Sequence, residues 1–372
     1  MGALDGILVI ALEQAVAAPL CTVRLADAGA RVIKIERAGG ETARHYDATV
    51  HGTSAYFAWL NRGKESAVLD LKSADDMALF REMLGRADVL VQNLAPGALD
   101  RLGLSPDVIS QAFPRLIAVS VVGYGQDTPY AQMKAYDLLV QAESGLCAVT
   151  GTGDDPCKVG ASVTDIGTGM NAHAAVLEAL IERARTGRGC SIEVAMFDGM
   201  ADWMTVPLLH HDYAGKDTAR HGMRHASVYP YRPFDCADGT ILIAVQTNAE
   251  WENLCAIALD MPGLATRPDF ASNALRVQNR VALDVALEPA FARHSVAEMI
   301  ARLDHAAIAW AQYRTVGGLS DHEALRRITV PLPGGQTAEI PRPAGRGNDF
   351  APGPVPELGA ETDAIRREFD PH

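Results

Sequence analysis

Short apolar runs alternate along the first two hundred positions with stretches in which apolar residues recur every third or fourth place. The runs Ile7-Leu-Val-Ile-Ala-Leu12, Val32-Ile-Lys-Ile-Glu36, Ala67-Val-Leu69, Val89-Leu-Val91 and Leu116-Ile-Ala-Val-Ser-Val121 read as buried strands. Residues 19–28, 75–84, 106–112, 136–147 and 165–186 read as helices. Near-continuous apolar strands alternating with helices predict an α/β fold: an open, mostly parallel, Rossmann-like sheet with helices on both faces. In the longest helix Ile166, Met170, Ala174, Leu177 and Ile181 form the predicted apolar row. Arg183 and Arg185 suit its last turn, and Gly187 its stop.

The pattern changes near residue 205. Residues 207–224 are polar and rich in His and Arg. Tyr229-Pro-Tyr-Arg-Pro-Phe234, Asp238-Gly239 and Ile241-Leu-Ile-Ala-Val245 then predict a strand–turn–strand unit, followed by helices near 249–259, 275–292 and 296–304. Beyond about 325 proline and glycine dominate, with no helical period until Glu361, which predicts an extended tail. The expected organisation is a large domain over 1–205, a smaller α+β domain over 225–320, and a C-terminal segment over 321–372 returning to the large one.

Composition narrows the class. The 372 residues are 48% hydrophobic, enough for a substantial core, and no apolar run reaches membrane-spanning length. The opening Met-Gly-Ala-Leu-Asp-Gly has no basic stretch, so no signal peptide is expected. A net charge of −13 argues against nucleic acid as a partner. Six scattered cysteines show neither CxxC nor metal-ligand spacing, which predicts reduced thiols in a cytoplasmic protein. His221 and His225 have ligand-like spacing, but Gly222 lies between them and no HExxH context exists, so no metal is expected. A parallel sheet binds ligands beyond the carboxyl ends of its strands. The first strand is followed by Glu13-Gln-Ala-Val-Ala-Ala-Pro19, without the glycines of a dinucleotide site, so nicotinamide chemistry is disfavoured.

One carboxylate stands out. Asp165 lies where Val159-Gly-Ala-Ser-Val-Thr leads into the long helix, and the stretch reads as a short strand, a turn and a helix start. The positive end of a helix favours an anion there. The competing reading is that Thr164 or Asp165 simply caps the helix.

Larger blocks then bear on the choice. Leu4-Asp-Gly-Ile-Leu-Val, Ala18-Pro19, Leu25 to Arg37, Phe57-Ala-Trp-Leu-Asn-Arg-Gly-Lys64 and Leu69-Asp-Leu-Lys72 stand in order. Asn93-Leu-Ala-Pro-Gly-Ala-Leu-Asp-Arg101-Leu-Gly, Gly123-Tyr-Gly, Lys134-Ala-Tyr-Asp137 and the 162–169 turn follow. Together they resemble the class III CoA-transferases, the family of formyl-CoA transferase and carnitine CoA-transferase. The resemblance runs along most of the chain and implies that Asp165 is catalytic rather than a cap.

It also implies a reaction. An aspartate attacks an acyl-CoA thioester, giving a mixed anhydride and CoA thiolate. The thiolate then forms an enzyme–CoA thioester, and an incoming carboxylic acid takes over the CoA. Neither ATP nor a resident cofactor is required, since CoA is part of the substrate. Gly167, Thr168 and Gly169 are expected to offer backbone N–H donors to developing oxyanions. Carried over by position, Val16, Ala17, Arg37, Leu69, Asp70, Leu71, Lys72, Asn93, Leu94, Ala95, Arg101, Lys134, Ala135, Tyr136 and Asp137 would line the CoA channel. Arg37 and Arg101 suit phosphate through their guanidinium forks. An interlocked homodimer is implied as well.

Two departures bear on substrate. Val16 replaces a glutamine of formyl-CoA transferases, and no glycine-rich flap occurs between 215 and 250. Both argue against formate and oxalate. Residues 224–234 and 276–280 look more like the branch acting on dicarboxylic acids such as succinate and glutarate. A second carboxylate would need cationic or polar partners, for which Arg224, Ser227, Tyr229 and Arg232 are candidates. An α-methylacyl-CoA racemase shares the resemblance, but Lys134-Ala-Tyr-Asp137 lacks the racemase histidine. A non-enzymatic acyl-CoA binding protein would not need Asp165.

Overall fold

A computed structural model describes residues 2–370. The first large segment contains β1 (Leu8–Leu12), α1 (Ala17–Asp27), β2 (Arg31–Glu36), β3 (Lys64–Val68), α2 (Ala74–Arg86), β4 (Val89–Gln92), α3 (Pro106–Ala112) and β5 (Ile117–Val122). After it come α4 (Asp137–Glu143), α5 (Val163–Thr186), β6 (Ser191–Ala195) and α6 (Met196–Trp203). The six strands form one parallel sheet in the order β3-β2-β1-β4-β5-β6. This is the order of doubly wound sheets, in which ligands bind beyond the carboxyl ends of the strands.

Alternation along each strand feeds two cores. Ile10, Ile33, Ile35 and Leu90 face one side, with Phe80 and Met83 of α2. Val9, Ala11, Val32, Val89 and Val119 face the other, with Cys21 and Leu25 of α1 and Ala172 and Val176 of α5. Burial on both sides is why these strands read as unbroken apolar runs rather than alternating ones.

The chain divides into two compact units. One comprises residues 1–147, 158–208 and 326–372; the other comprises 148–157 and 209–325. Within the second, β7 (Tyr231–Cys236), β8 (Gly239–Ala244) and β9 (Ala309–Gln312) form an antiparallel sheet ordered β9-β8-β7. Helices α7 (Arg280–Ala292) and α8 (Val296–His305) supply Leu283, Leu287, Phe291, Met299 and Leu303 to the core shared with that sheet. A capping box between Ser295 and Glu298 starts α8.

The C-terminal segment departs from the expected extended tail. Residues Arg327–Pro331 (β10) and Thr337–Pro341 (β11) pair as a hairpin, whereas the helix Thr362–Phe369 (α9) falls where the helical period resumes after Glu361, as expected. Ile328, Val330 and Ala338 of the hairpin pack on Phe57 and Val355. The prolines sit at strand ends and turns, where the missing N–H costs nothing, so a Pro-rich reading concealed the pairing. The third sheet strand also begins earlier than the apolar run suggested, at Lys64. That lysine is buried by pairing with charge rather than by being apolar.

Candidate active site

Beyond the carboxyl ends of β1, β2, β3 and β4 lies a cavity of about 310 Å³. Arg37, Leu69, Asp70, Leu71, Lys72 and Leu94, six of the residues expected to meet CoA, line it. Arg37 donates through Nε to the Gly40 carbonyl at 2.9 Å, which leaves its other nitrogens for a ligand. Arg101 ends the short helix Ala98–Arg101, with Nη1 3.4 Å from the Pro96 carbonyl, and Ala95 is exposed in the turn before it. Lys134 and Tyr136 are exposed on the approach to α4, so Tyr136 is no core tyrosine. Ala135 packs tightly against Gly123, where a Cβ would lie 2.2 Å from the Ala135 Cβ.

Three of the expected channel residues act differently. Val16 and Ala17 are buried in the start of α1, Val16 against Leu20, Val23 and Leu60, and present no side-chain surface to a ligand. Asn93 clamps the backbone of Gln14, its Oδ1 accepting from the N–H at 2.9 Å and its Nδ2 donating to the carbonyl at 2.8 Å. The turn so held contains Ala15 at φ +64°, a left-handed conformation that is costly for alanine. Glu41 holds the same turn by accepting from Ala15 N–H at 2.8 Å.

Sequence reasoning missed the floor of the cavity. Glu13, Glu36 and Glu41 line it and belong to a buried ionic lattice. Glu13 pairs with Lys64 at 2.5 Å and Lys34 at 3.3 Å; Glu41 pairs with Lys34 at 3.0 Å, and Glu36 with Arg44 at 2.6 Å. Burial pushes Lys64 down to about 8 against the attraction of Glu13. Burial alone would also lower Lys34, but Glu13, Glu41 and Glu36 outweigh it and hold Lys34 above its ordinary value. A lysine inside the otherwise apolar run Val32-Ile-Lys-Ile was the one available signal of this lattice. Glu36 is consumed by Arg44, Ser66 and the Glu41 N–H.

Asp165 is the third residue of α5, and no strand precedes it. The cap position belongs to Ser162, so neither Thr164 nor Asp165 is the cap. The helix's first donors are taken: Asp137 Oδ1 accepts from Thr164 N–H at 2.9 Å and from Asp165 N–H at 3.4 Å. Val163 N–H bonds the Ala161 carbonyl and Ile166 N–H that of Ser162. Gly167 and Gly169 lie inside the helix and therefore do not supply oxyanion donors. They serve close packing instead. A Cβ at Gly169 would sit 2.5 Å from the Ala17 carbonyl oxygen, and one at Gly167 would sit 3.1 Å from the Trp203 ring.

That packing locates the carboxylate. Gly169 touches the first turn of α1, three residues beyond Gln14, which lines the cavity. Asp165 stands one turn earlier on α5, so it belongs to the same carboxyl edge of the sheet. Its carboxylate has no hydrogen-bond or ion-pair partner among the described residues. Burial, and then the like charge of Asp137, raise it from 3.8 to about 7.

The buried row of α5 is Thr164, Thr168, Ala172, Val176, Ala179 and Arg183 rather than the predicted one; Met170 and Ile181 are exposed. Small residues face inward because α1 approaches too closely for large ones.

In the smaller unit the expected substrate residues surround Asp284. Arg232 pairs with it at 2.8 Å and with Glu288 at 2.6 Å, and its guanidinium lies 4.3 Å over the Phe234 ring. The fully buried Tyr229 donates its hydroxyl to Asp284. Tyr229 and Arg232 are thus interior residues already partnered, a correction to their assignment as substrate contacts. Arg224, 3.0 Å from Asp284, is part-exposed, and Ser227 is exposed.

The sheet is parallel and doubly wound, the cavity at its carboxyl edge carries Arg37 and Lys72 beside Glu13, Glu36 and Glu41, and the Asp165 carboxylate at the helix start has no partner among the described residues. The sequence profile of CoA-transferase family III matches residues 4–362, and the chain belongs to that family. It is 40% identical over 302 residues to acetyl-CoA:oxalate CoA-transferase of Acetobacter aceti, covering 80% of this chain and 77% of that one. It is 32% identical over 378 residues to succinyl-CoA:glutarate CoA-transferase of Mus musculus, covering 99% and 86%. The crystal structure of a CaiB/BaiF family protein from Brucella suis superposes with a TM-score of 0.83 at 31% identity, covering 99% and 100%.

Proposed function

We propose that this enzyme moves CoA between an acyl-CoA thioester and a short dicarboxylic acid, with Asp165 as the nucleophile. The observation that carries the reading is the Asp165 carboxylate, without a partner among the described residues, at the same carboxyl edge of the sheet as the cavity and raised to about 7 by burial and Asp137. At that value a substantial fraction is ionised near neutral pH, and its poor solvation keeps it nucleophilic. An Asp165 oxygen attacks the thioester carbonyl; the C–S bond breaks and CoA thiolate leaves. The thiolate attacks the aspartyl carbonyl of the mixed anhydride, releasing the first acid and leaving CoA on Asp165. The incoming carboxylate attacks that thioester, and CoA thiolate then attacks the new acyl group, regenerating Asp165. Arg37 and Lys72, which line the cavity, would meet CoA phosphates, with Arg101 at the end of the adjoining short helix. CoA enters as substrate, and no other cofactor is invoked.

The dicarboxylate assignment rests on the named relatives, which act on oxalate and on succinate and glutarate. The oxalate relative widens the expected range downwards to two carbons. Arg232 is committed to Asp284 and Glu288, whereas Arg224 spends only Nη1 on Asp284 and Ser227 is exposed, so these two are the candidates for a second carboxylate. Met170, Ile181, Trp203 and Val206 each expose more than half their surface, which supports a homodimer whose second copy covers them. No helix among the described residues is long and apolar enough to cross a membrane; a cytoplasmic location is part of the proposal.

Mass spectrometry of the protein after incubation with succinyl-CoA tests the chemistry. A CoA adduct on the peptide containing Asp165, absent from Asp165→Ala, is the expected result. Full turnover by Asp165→Ala would sink the assignment.

A further inference from the structure

Gln141 is a fully buried side chain on α4 that no step of this reaction uses. A buried primary amide is costly unless both of its ends are bonded, and here both are. Its Nε2 donates to Asp137 Oδ2 at 2.8 Å, one turn back on the same helix. Its Oε1 accepts from Val159 N–H at 2.9 Å. Asp137 turns its other oxygen to the N–H groups of Thr164 and Asp165. One amide therefore governs both ends of the 159–165 connection: it binds Val159 directly and reaches Asp165 through Asp137.

The connection needs such a hold. Residues 159–161 have no regular structure, and Gly160 and Ala161 are exposed. A lone carboxylate at Asp137 would be free to rotate about its terminal torsion, which is broad for this side chain. Pinning Oδ2 leaves Oδ1 facing the start of α5, where the helix dipole favours it.

We propose that Gln141 is a positioning residue for the nucleophile: its amide sets the orientation of the Asp137 carboxylate and, through it, the direction from which Asp165 meets the thioester. This rests on the reading of Asp165 as nucleophile. Misplacement of a reacting group by about 1 Å can cost on the order of 100-fold in rate, so loss of the clamp should appear in kcat. The CoA cavity is lined by other residues, so KM for acyl-CoA should move little. An acid at this position would still accept from Val159 but, once ionised, would have nothing to donate to Asp137. The charged groups around the turn are Asp137, Asp165 and the exposed Lys158, whose ammonium donates to the Val159 and Gly160 carbonyls.

The test is steady-state kinetics of Gln141→Leu and Gln141→Glu across pH 5.5–9, beside wild type and Asp165→Ala. Gln141→Leu should lose at least tenfold in kcat, with KM for acyl-CoA within threefold and the midpoint of the acid limb displaced. Gln141→Glu should keep more activity at the acid end, where the new carboxyl still carries a proton to donate, and lose it as that proton leaves. An unchanged kcat and midpoint in folded Gln141→Leu would overturn the proposal, as would an effect confined to KM. Should Gln141→Leu fail to fold, the pH profile of Gln141→Glu decides: a profile parallel to wild type overturns the idea. Activity in Asp165→Ala would instead refute the nucleophile assignment on which the proposal depends. An inactive Asp165→Ala with normal Gln141 variants would refute only the positioning role.

Discussion

Replacing Asp165, the proposed nucleophile, should make this protein more stable near neutral pH. In the folded chain burial, and then Asp137, raise Asp165 from 3.8 to about 7, so the native state binds its proton more tightly than the unfolded chain does. Stability from this group is therefore greatest at low pH. It is lost as pH rises from about 4 to 7, and the loss is complete above 7. Taken whole, the shift corresponds to roughly 4 kcal/mol. The side chain is only partly buried, and screening by water reduces that to about 2 kcal/mol. Asp165→Asn removes the charge with almost no change of shape and should recover that amount. Urea unfolding of both proteins at pH 8 and pH 4.5 is the assay. At pH 8 the variant should be more stable by about 2 kcal/mol, or several degrees in Tm. At pH 4.5 the gap should shrink to about half of that. An equal or less stable variant at pH 8, or a gap independent of pH, would refute the reasoning and remove burial strain as the source of the raised value.

Other consequences are open to measurement. Hydroxylamine or borohydride should inactivate wild type only after acyl-CoA is added, because only then does Asp165 carry an activated acyl group; inactivation without acyl-CoA would count against the thioester. Asp137→Asn should move the acid limb of kcat to lower pH by at most about 1.5 pH units, since Asp137 is the smaller cause of the rise from 3.8 to about 7; a shift to higher pH would contradict this. Arg37→Ala should raise KM for acyl-CoA about tenfold or more while leaving kcat within a few-fold, because a phosphate contact is made equally in ground and transition states. Asp284→Ala should lower unfolding free energy by roughly 3 kcal/mol by leaving the buried Arg232 only its pair with the half-exposed Glu288, seen in urea titrations of either activity or fluorescence.

Much of the fold was written in the sequence because both of its signals are local. A strand covered on both faces must be apolar throughout, and Leu8–Leu12 and Val89–Gln92 satisfy this almost without exception. Gly187 at φ +74° ends α5 where its position suggested. The hairpin of β10 and β11 was not legible, because pairing between Arg327–Pro331 and Thr337–Pro341 is tertiary information that prolines disguise. Nor was the inward face of α5: it is chosen by the approach of α1 at Gly169, which favours small residues over the larger Met170 and Ile181.

The site divides in the same way. Ordered blocks of residue identities by themselves determined the family and singled out Asp165, Arg37 and the 69–72 segment, because these identities stay in register along the chain. Tertiary structure alone decided what each polar group is free to do. Asn93 is spent on Gln14, Arg232 and Tyr229 on Asp284, and the helix-start N–H groups on Asp137. The Asp165 carboxylate is left without a partner among the described residues, and the distant Glu13, Lys34, Glu41 and Lys64 meet beneath the cavity. A sequence records which side chains can donate, accept or carry charge. Whether a group has already been satisfied depends on neighbours brought together only by folding, and that satisfaction separates a structural residue from a reactive one.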